Sequence, residues 1–314
     1  MEKNNAIITL NNGLGDKFLD LIGFYILCKY LKYNPNVIFN ITGDLQRGGN
    51  NYDMRLFNLQ GITIANNNTK CDYYVNSPNP SSSLSPYKVY KFINKLNNTI
   101  SFKKISNDFV VYSKKIIHPS DIILRNIPKD IENAYGIHLR KSDKVKNNCD
   151  IRHENTIKEF KILTFKLLED VENIIINEID VKFLIVSDDD IWKKKISNVI
   201  LNISNKYNKQ IKLINIDYNN KDNYSQYNSV LDMFCLSKCK EILQGVKYST
   251  FSILASLLGN NKLRNYSNYL DSYNICLIHT WFSVINDKKF NRKNIKKISS
   301  EFNNINTNIN KIFT

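Results

Sequence analysis

Four short segments combine glycine, permanent cations, carboxylates and hydroxyls in an order that suits a bound nucleotide diphosphate. The first is Gly13-Leu14-Gly15-Asp16-Lys17. Its glycines let the backbone bend tightly and bare its N–H groups at a helix start, a natural anion site. The second is Gly136-Ile137-His138-Leu139-Arg140-Lys141-Ser142-Asp143-Lys144. Arg140 follows a strand, at the carboxyl end where α/β sheets bind ligands. Its planar cation can clamp a pyrophosphate with two hydrogen bonds, which lysine cannot imitate. Departure of a diphosphate builds negative charge, so a cation there lowers the barrier. Asp143, three residues on, is close enough to fix Arg140 or to cap the next turn. The third segment, Phe183-Leu184-Ile185-Val186-Ser187-Asp188-Asp189, ends a strand in two carboxylates. Acceptors there suit the amino and imino hydrogens of a purine or the hydroxyls of a ribose. The fourth runs from Leu231-Asp232-Met233 through Leu236-Ser237 to Tyr248-Ser249-Thr250-Phe251-Ser252. Ser249 and Thr250 open a helix, where hydroxyls and backbone N–H groups favour phosphate.

Each segment alone has a plainer explanation. Gly-x-Gly is a tight turn in many proteins, and a strand-end arginine often joins a surface ion pair. Ser-Asp-Asp after a strand and Ser-Thr before an apolar run are both helix N-cap patterns. Order and spacing together favour the ligand site.

The elements that must position these residues follow from periodicity. Residues 6–10 read as a strand, and 17–33 as a helix, with Phe18, Leu21, Ile22, Tyr25, Ile26 and Leu31 at helical spacing. A second strand follows at 37–41. Residues 66–85, rich in Asn, Ser and Pro, read as a loop. Short helical and extended pieces lead to Pro128. A second α/β unit then alternates strands at 134–139, 182–186, 211–216 and 241–244 with helices at 154–173, 190–207, 229–237 and 250–258. Alternation of this kind implies a mostly parallel sheet covered on both faces. The expected organisation is an N-terminal lobe over 1–133, a ligand lobe over 134–286 and a Lys/Asn-rich tail over 287–314.

The chain has 314 residues, with 44 Lys+Arg against 29 Asp+Glu, giving a formal charge of +15. A basic surface suits an anionic partner. Lys, Asn and Ile are heavily used throughout, so many lysines read as compositional. No basic run is interleaved with stacking aromatics, which argues against a nucleic-acid partner. The opening apolar run is too short for a signal core or a membrane span. Cys235 and Cys239 are spaced i, i+4 without a suitable third ligand, so no metal site is expected. The six cysteines read as free thiols of a reducing, cytoplasmic setting.

The order of these segments resembles the fucosyltransferase superfamily, and within it the α1,6-fucosyltransferases and their bacterial relatives. That signature is His-x-Arg-Arg, then Thr or Gly, then Asp and often Lys, matched by His138 to Lys144. A strand ending Ser/Thr-Asp-Asp is matched by Ser187-Asp188-Asp189. A helix with Asp and a Leu-Ser ending is matched by Asp232 and Leu236-Ser237, and an aromatic-Ser-Ser/Thr stretch by Tyr248-Ser249-Thr250. Gly13-Leu14-Gly15-Asp16 looks like the family's N-terminal loop. The match covers about 125 residues well and the first 30 loosely. The resemblance implies an α/β fold of two Rossmann-like lobes, of the GT-B glycosyltransferase type. It also implies inverting transfer from GDP-fucose to a glycan acceptor, with no metal and no cofactor. By the same resemblance Arg140, with Lys141 and Lys144, meets the diphosphate. His138, Asp188 and Asp189 meet the nucleotide, and Asp232, Tyr248, Ser249 and Thr250 the sugar-phosphate side. Two departures stand out. Lys141 replaces the second arginine, keeping charge but losing the fork. Asn148 stands where the α1,6 enzymes carry their basic Glu, leaving Asp16, Asp143, Asp150 and Glu154 open as bases. A relative that binds a nucleotide sugar without turnover is the alternative these departures raise.

Overall fold

A computed structural model describes residues 4–10, 13–39, 56–65, 69–76, 84–96, 99–140, 157–218, 226–246 and 249–266. The first strand, β1 (Asn5–Leu10), leads through Gly13 into α1 (Leu14–Leu31), then β2 (Asn34–Phe39). The short strands β3 (Phe57–Leu59), β4 (Thr63–Ile64) and β5 (Tyr73–Asn76) follow. The helices α2 (Pro86–Lys95) and α3 (Phe102–Ile116) come next, then β6 (Ile117–Pro119) and α4 (Asp121–Asn126). The second unit runs β7 (Tyr135–Leu139), α5 (Ile157–Asn177), β8 (Val181–Ser187), α6 (Asp190–Lys206) and β9 (Ile211–Ile214). It ends with α7 (Gln226–Lys238), β10 (Glu241–Gln244), α8 (Thr250–Gly259) and β11 (Lys262–Asn265).

Two parallel sheets result, ordered β4-β2-β1-β5 and β11-β10-β7-β8-β9, with a small antiparallel β3-β6 pair beside them. In each large sheet the chain builds outward on one side and then returns to the other side of its first strand. The strand order therefore reverses beside β1 in one sheet and beside β7 in the other. Such switch points open a crevice at the carboxyl ends of the strands. Gly13 and Arg140 follow β1 and β7, so both fall at these crevices.

The helix α1 is buried almost all round, including Lys17 and Asp20. A helix apolar on every face belongs between layers, and α1 packs on α2, α3 and α8. One core joins Ile8 and Leu10 of β1 to Ile242 of β10 and Leu263 of β11. A second core lies on the other face of the second sheet, where Ile137, Leu139 and Leu243 meet Leu167, Val171 and Ile196.

The strands and helices expected from residue 134 onward are present, with ends shifted by a few residues. The span read as a loop at 66–85 contains β5, which pairs in parallel with β1 from Ala6↔Tyr73 to Thr9↔Asn76. Backbone pairing to a buried central strand outweighs a polar, turn-rich neighbourhood. The edge strand β11 was also not expected from Lys262-Leu263-Arg264-Asn265, where charges flank a single apolar residue. Those charges hold the edge. Arg264 grips Glu241 with its Nε and, at 2.9 Å, its second terminal nitrogen, while its first reaches Asp170 at 3.1 Å. Tyr266 donates to the same Asp170 oxygen at 2.9 Å. Lys262 lies 3.0 Å from Glu241. The tail from 267 lies outside the described residues.

Arg264→Ala strands a buried glutamate that retains only Lys262. It is expected to cost about 2–4 kcal/mol, read as a lower melting temperature. Lys206→Ala removes an exposed pair with Glu172 and is expected to leave the melting temperature almost unchanged.

Candidate nucleotide-sugar site

The site is built where two helices begin. Gly13 is extended and precedes α1, and Gly15 lies within its first turn. A Cβ on Gly15 would sit 2.6 Å from the Phe251 nitrogen and 2.6 Å from the Thr250 carbonyl carbon, both at the start of α8. Only glycine permits this approach. Each helix start carries orphaned N–H groups and a partial positive charge. Bringing two such ends together disfavours the empty site and favours an anion.

Ser249 occupies the N-cap position of α8 but makes no side-chain cap bond. Its hydroxyl is buried and has no hydrogen-bond partner among the described residues. The ordinary capping explanation therefore fails for Ser249. It holds for Asp189, whose carboxylate accepts from the Trp192 N–H at 2.8 Å and caps α6. The two cap-like patterns in the sequence thus serve different purposes.

His138 ties β7 to α8. Its Nδ1 lies 2.5 Å from the Ser252 hydroxyl, and its ring stacks on Phe251 at 5.1 Å and 30°. Burial, and then the nearby positive charge of Arg140, push its pKa down to about 3, so the imidazole is neutral. Arg140 is the first residue after β7 and is half-buried. Leu139 pairs with Ser187, so Asp188 stands beside Arg140 at the carboxyl edge of the sheet. The structure thus gathers Gly13, Gly15, Asp16, His138, Arg140, Ser249 and Thr250 around the meeting of α1 and α8, with Asp188 and Asp189 one strand away.

Asp232 belongs to a separate cluster on α7. Its carboxylate accepts from the Tyr218 hydroxyl at 2.6 Å, and Lys193 lies over the Tyr218 ring at 5.3 Å. Burial lifts the Asp232 carboxyl to about 6, against the opposing pull of the Tyr218 hydroxyl and the Lys193 charge. Lys141, Asp143, Lys144 and Tyr248 lie outside the described residues, as do Asn148, Asp150 and Glu154.

Three buried polar residues were given no individual role in the sequence reading. Gln244 ends β10 in register with His138 and is buried. Its amide nitrogen donates to the Val246 carbonyl at 2.8 Å, which fixes its oxygen as an acceptor without a partner among the described residues. Lys17 and Asp20 are buried on α1; Asp20 accepts from the Leu84 N–H at 2.5 Å, and burial lowers the Lys17 pKa. A glutamine closing an apolar strand, and two charges inside an apolar helix pattern, are the signals that mark them.

No family model matches the sequence, and no curated protein matches it. The structure is similar to that of Arabidopsis thaliana FUT1, solved as a point mutant in complex with GDP. That likeness has 10% identity and a TM-score of 0.52, covering 85% of this chain and 72% of that one. The structure is also similar to NodZ α1,6-fucosyltransferase soaked with GDP-fucose, at 12% identity and a TM-score of 0.47, covering 82% and 93%. Fucosyltransferase NodZ from Bradyrhizobium gives the same identity and score, with 94% of that chain covered. At these identities the likeness to FUT1 is one of fold: a mixed α/β chain with parallel sheets, matching a fucosyltransferase.

The raised pKa of Asp232 makes a pH prediction. A carboxyl raised from 3.8 to about 6 stabilises the fold while protonated, and that contribution is lost as pH rises through about 6. Asp232→Asn is therefore expected to melt progressively higher relative to the parent as pH rises across this interval, with a constant offset above it. A pH-independent offset in the two melting curves would show that Asp232 is not held protonated by burial.

Proposed function

We propose that this chain is a glycosyltransferase that moves fucose, or a related sugar, from a GDP-sugar to a glycan or other hydroxyl acceptor. The observation that carries the reading is the meeting of the α1 and α8 N-termini beside Arg140, with the Ser249 hydroxyl buried and unused by its own helix. That arrangement is a cradle for a dianionic diphosphate. The likeness of fold to a fucosyltransferase solved with GDP supports the choice of ligand. In this reading the two parallel sheets are the two Rossmann-like lobes of a GT-B enzyme, residues 1–133 serving the acceptor and 134–286 the donor.

The diphosphate oxygens sit at the helix starts and Arg140. As the bond from sugar to phosphate breaks, charge grows on the phosphate and is met by the guanidinium and backbone N–H groups already in place. A carboxylate on the opposite side takes the acceptor proton and the configuration inverts. Asp16, in the first turn of α1, is one candidate for this base, beside Asp143, Asp150 and Glu154. With one oxygen of Asp189 committed to its helix cap, Asp188 takes the leading part in reading the base. Neutral His138 has its second ring nitrogen for the nucleotide. We take the setting to be a reducing cytoplasm, in keeping with the free, buried thiols of Cys28, Cys235 and Cys239. No helix among the described residues is long and apolar enough to cross a membrane.

GDP and GDP-fucose are expected to stabilise the protein by about 2.7 kcal/mol at a hundred times their dissociation constants, with UDP, CDP and dTDP sugars at the same concentration giving smaller melting shifts. Equal shifts for all four classes would remove the purine-reading role of Asp188 and Asp189. Slow release of fucose from GDP-fucose, undiminished by EDTA, supports turnover without metal; binding with no release supports a non-catalytic relative.

Arg140→Lys is expected to fold normally and lose most activity, and Arg140→Ala to lose about 3–4 kcal/mol of transition-state stabilisation, a hundred- to a thousand-fold in rate. Turnover per folded molecule and melting temperature are measured on the same samples. Full specific activity in folded Arg140→Ala would overturn the site.

A further inference from the structure

The helical pair α2–α3 carries charge of one sign. Between Pro86 and Ile116 there are seven lysines, at 88, 91, 95, 103, 104, 114 and 115, against a single acid, Asp108. The chain as a whole has 44 basic residues to 29 acidic, so a lysine-rich composition does not by itself give this ratio. The acid is also withdrawn from the surface. Asp108 is buried, accepting from the Tyr30 hydroxyl at 2.7 Å and from Lys104 at 2.7 Å.

The lysines of α3 are concentrated on one side. Its exposed residues are Lys103, Lys104, Asn107, Val111, Lys114 and Lys115. At 3.6 residues per turn all six fall within an arc of about 120°. Val111 lies in the middle of that arc and is 57% exposed. The opposite side of α3, through Ile105, Phe109 and Ile116, is fully buried, so the helix cannot roll to hide the stripe. The preceding helix adds exposed Lys91 and Lys95. The turn between the two helices is fixed by Asn94, which donates to the Ile100 carbonyl at 3.3 Å and accepts from the Ile100 N–H at 3.1 Å. Tyr90 and Phe102 meet edge to face at 5.7 Å across the same turn.

Several lysines elsewhere are engaged locally. On α6, Lys193 lies over Tyr218, Lys195 over Trp192, and Lys206 pairs with Glu172. Lys103, Lys114 and Lys115 have no ion pair or ring contact among the described residues.

We propose that the outer face of α3, extended by Lys91 and Lys95 of α2, docks on an anionic lipid surface. A basic stripe centred on an exposed aliphatic residue fits an interface that is charged at its surface and apolar just below. Lysine stems lie along the apolar boundary while their ammonium groups stay among the headgroups. The stripe has no arginine and no aromatic ring, the residues that recognise and stack on nucleic acid, so a nucleic-acid partner fits it poorly. The inference is independent of the transferase reading. Should both hold, docking has a geometric effect: the Ser113 hydroxyl, shared between the Val110 carbonyl at 2.9 Å and the Leu257 carbonyl of α8 at 3.1 Å, and the packing of α3 on α8 link the docked helix to the helix that begins at the candidate site.

The test is cosedimentation of the full chain with phosphatidylcholine vesicles, with and without phosphatidylglycerol, at low and high salt. Binding only to the anionic vesicles, weakened by salt, is expected. The triple variant Lys103→Gln, Lys114→Gln, Lys115→Gln is expected to lower the partition coefficient about a hundredfold, at about fivefold for each lysine. Lys104 is kept because it neutralises buried Asp108. A control triple of equal charge change, Lys129→Gln, Lys194→Gln, Lys238→Gln, is expected to lower it far less. Val111→Gln should weaken vesicle binding at both salt concentrations. Equal losses in the two triples, or no binding to anionic vesicles, would overturn the proposal. So would Val111→Gln binding as well as the parent while RNA displaces the vesicles, which would assign the stripe to nucleic acid.

Discussion

The approach of α1 to α8 at Gly15 is the constraint on which the site depends. Two helix starts in van der Waals contact place two positive dipole ends side by side, an arrangement that folding alone does not favour. It persists because α1 is buried almost all round and because α8 is held from three directions. His138 grips its first turn, α7 packs along it, and Ser113 ties its end to α3. The cost of the unfavourable electrostatics is met by apolar burial elsewhere, and what results is a site whose resting field already suits an anion. Preorganisation of this kind lets a protein stabilise developing charge without moving at the moment of reaction.

The second half of the chain was legible because its elements are strongly marked. Apolar runs such as Phe183–Val186 are too short for helices and long enough for buried strands. The polar residues after them, Ser187-Asp188-Asp189 and Ser249-Thr250, also mark where helices begin. The sequence does not distinguish a serine that caps its helix from one that does not. Asp189 and Ser249 carry the same cap-like pattern, and only the three-dimensional position of their oxygens separates them. The first half was less legible. The strand β5 is specified by its neighbour β1 rather than by its own residues. Lys17 and Asp20 look, in one dimension, like the polar face of a surface helix. Burial of a charge is a property of what packs around it, which Leu84 and α2 supply from more than sixty residues away. Gln244 is similar: a polar strand end is ordinary until its amide is seen to be turned by the Val246 carbonyl.

The polar clusters divide the second sheet by height. At its amino edge, Arg264, Glu241, Asp170, Lys240 and Glu178 form paired charges that satisfy one another. At its carboxyl edge, the Ser249 hydroxyl and the Gln244 oxygen are left without partners among the described residues, and His138 is kept neutral. Paired charge holds one edge together, while buried polar capacity is reserved at the other. That asymmetry separates an edge that fixes the fold from the edge at which we propose the ligand binds.

The separation of Gly15 from Thr250 along the chain also governs when the site comes into being. During synthesis α1 leaves the ribosome long before α8 exists, and domains generally assemble in the order they are made. The first sheet can pair β1 with β2 early, but the face of α1 that receives α8 stays open until nearly all of the described chain has been translated. Contacts so distant in sequence are slow to form because loop closure must precede their reward. An immature chain therefore lacks the cradle and the part of the cover of α1 that α8 supplies, although α2 and α3 can already pack on it. The cradle at Gly15 and the last cover of α1 depend on one and the same late contact.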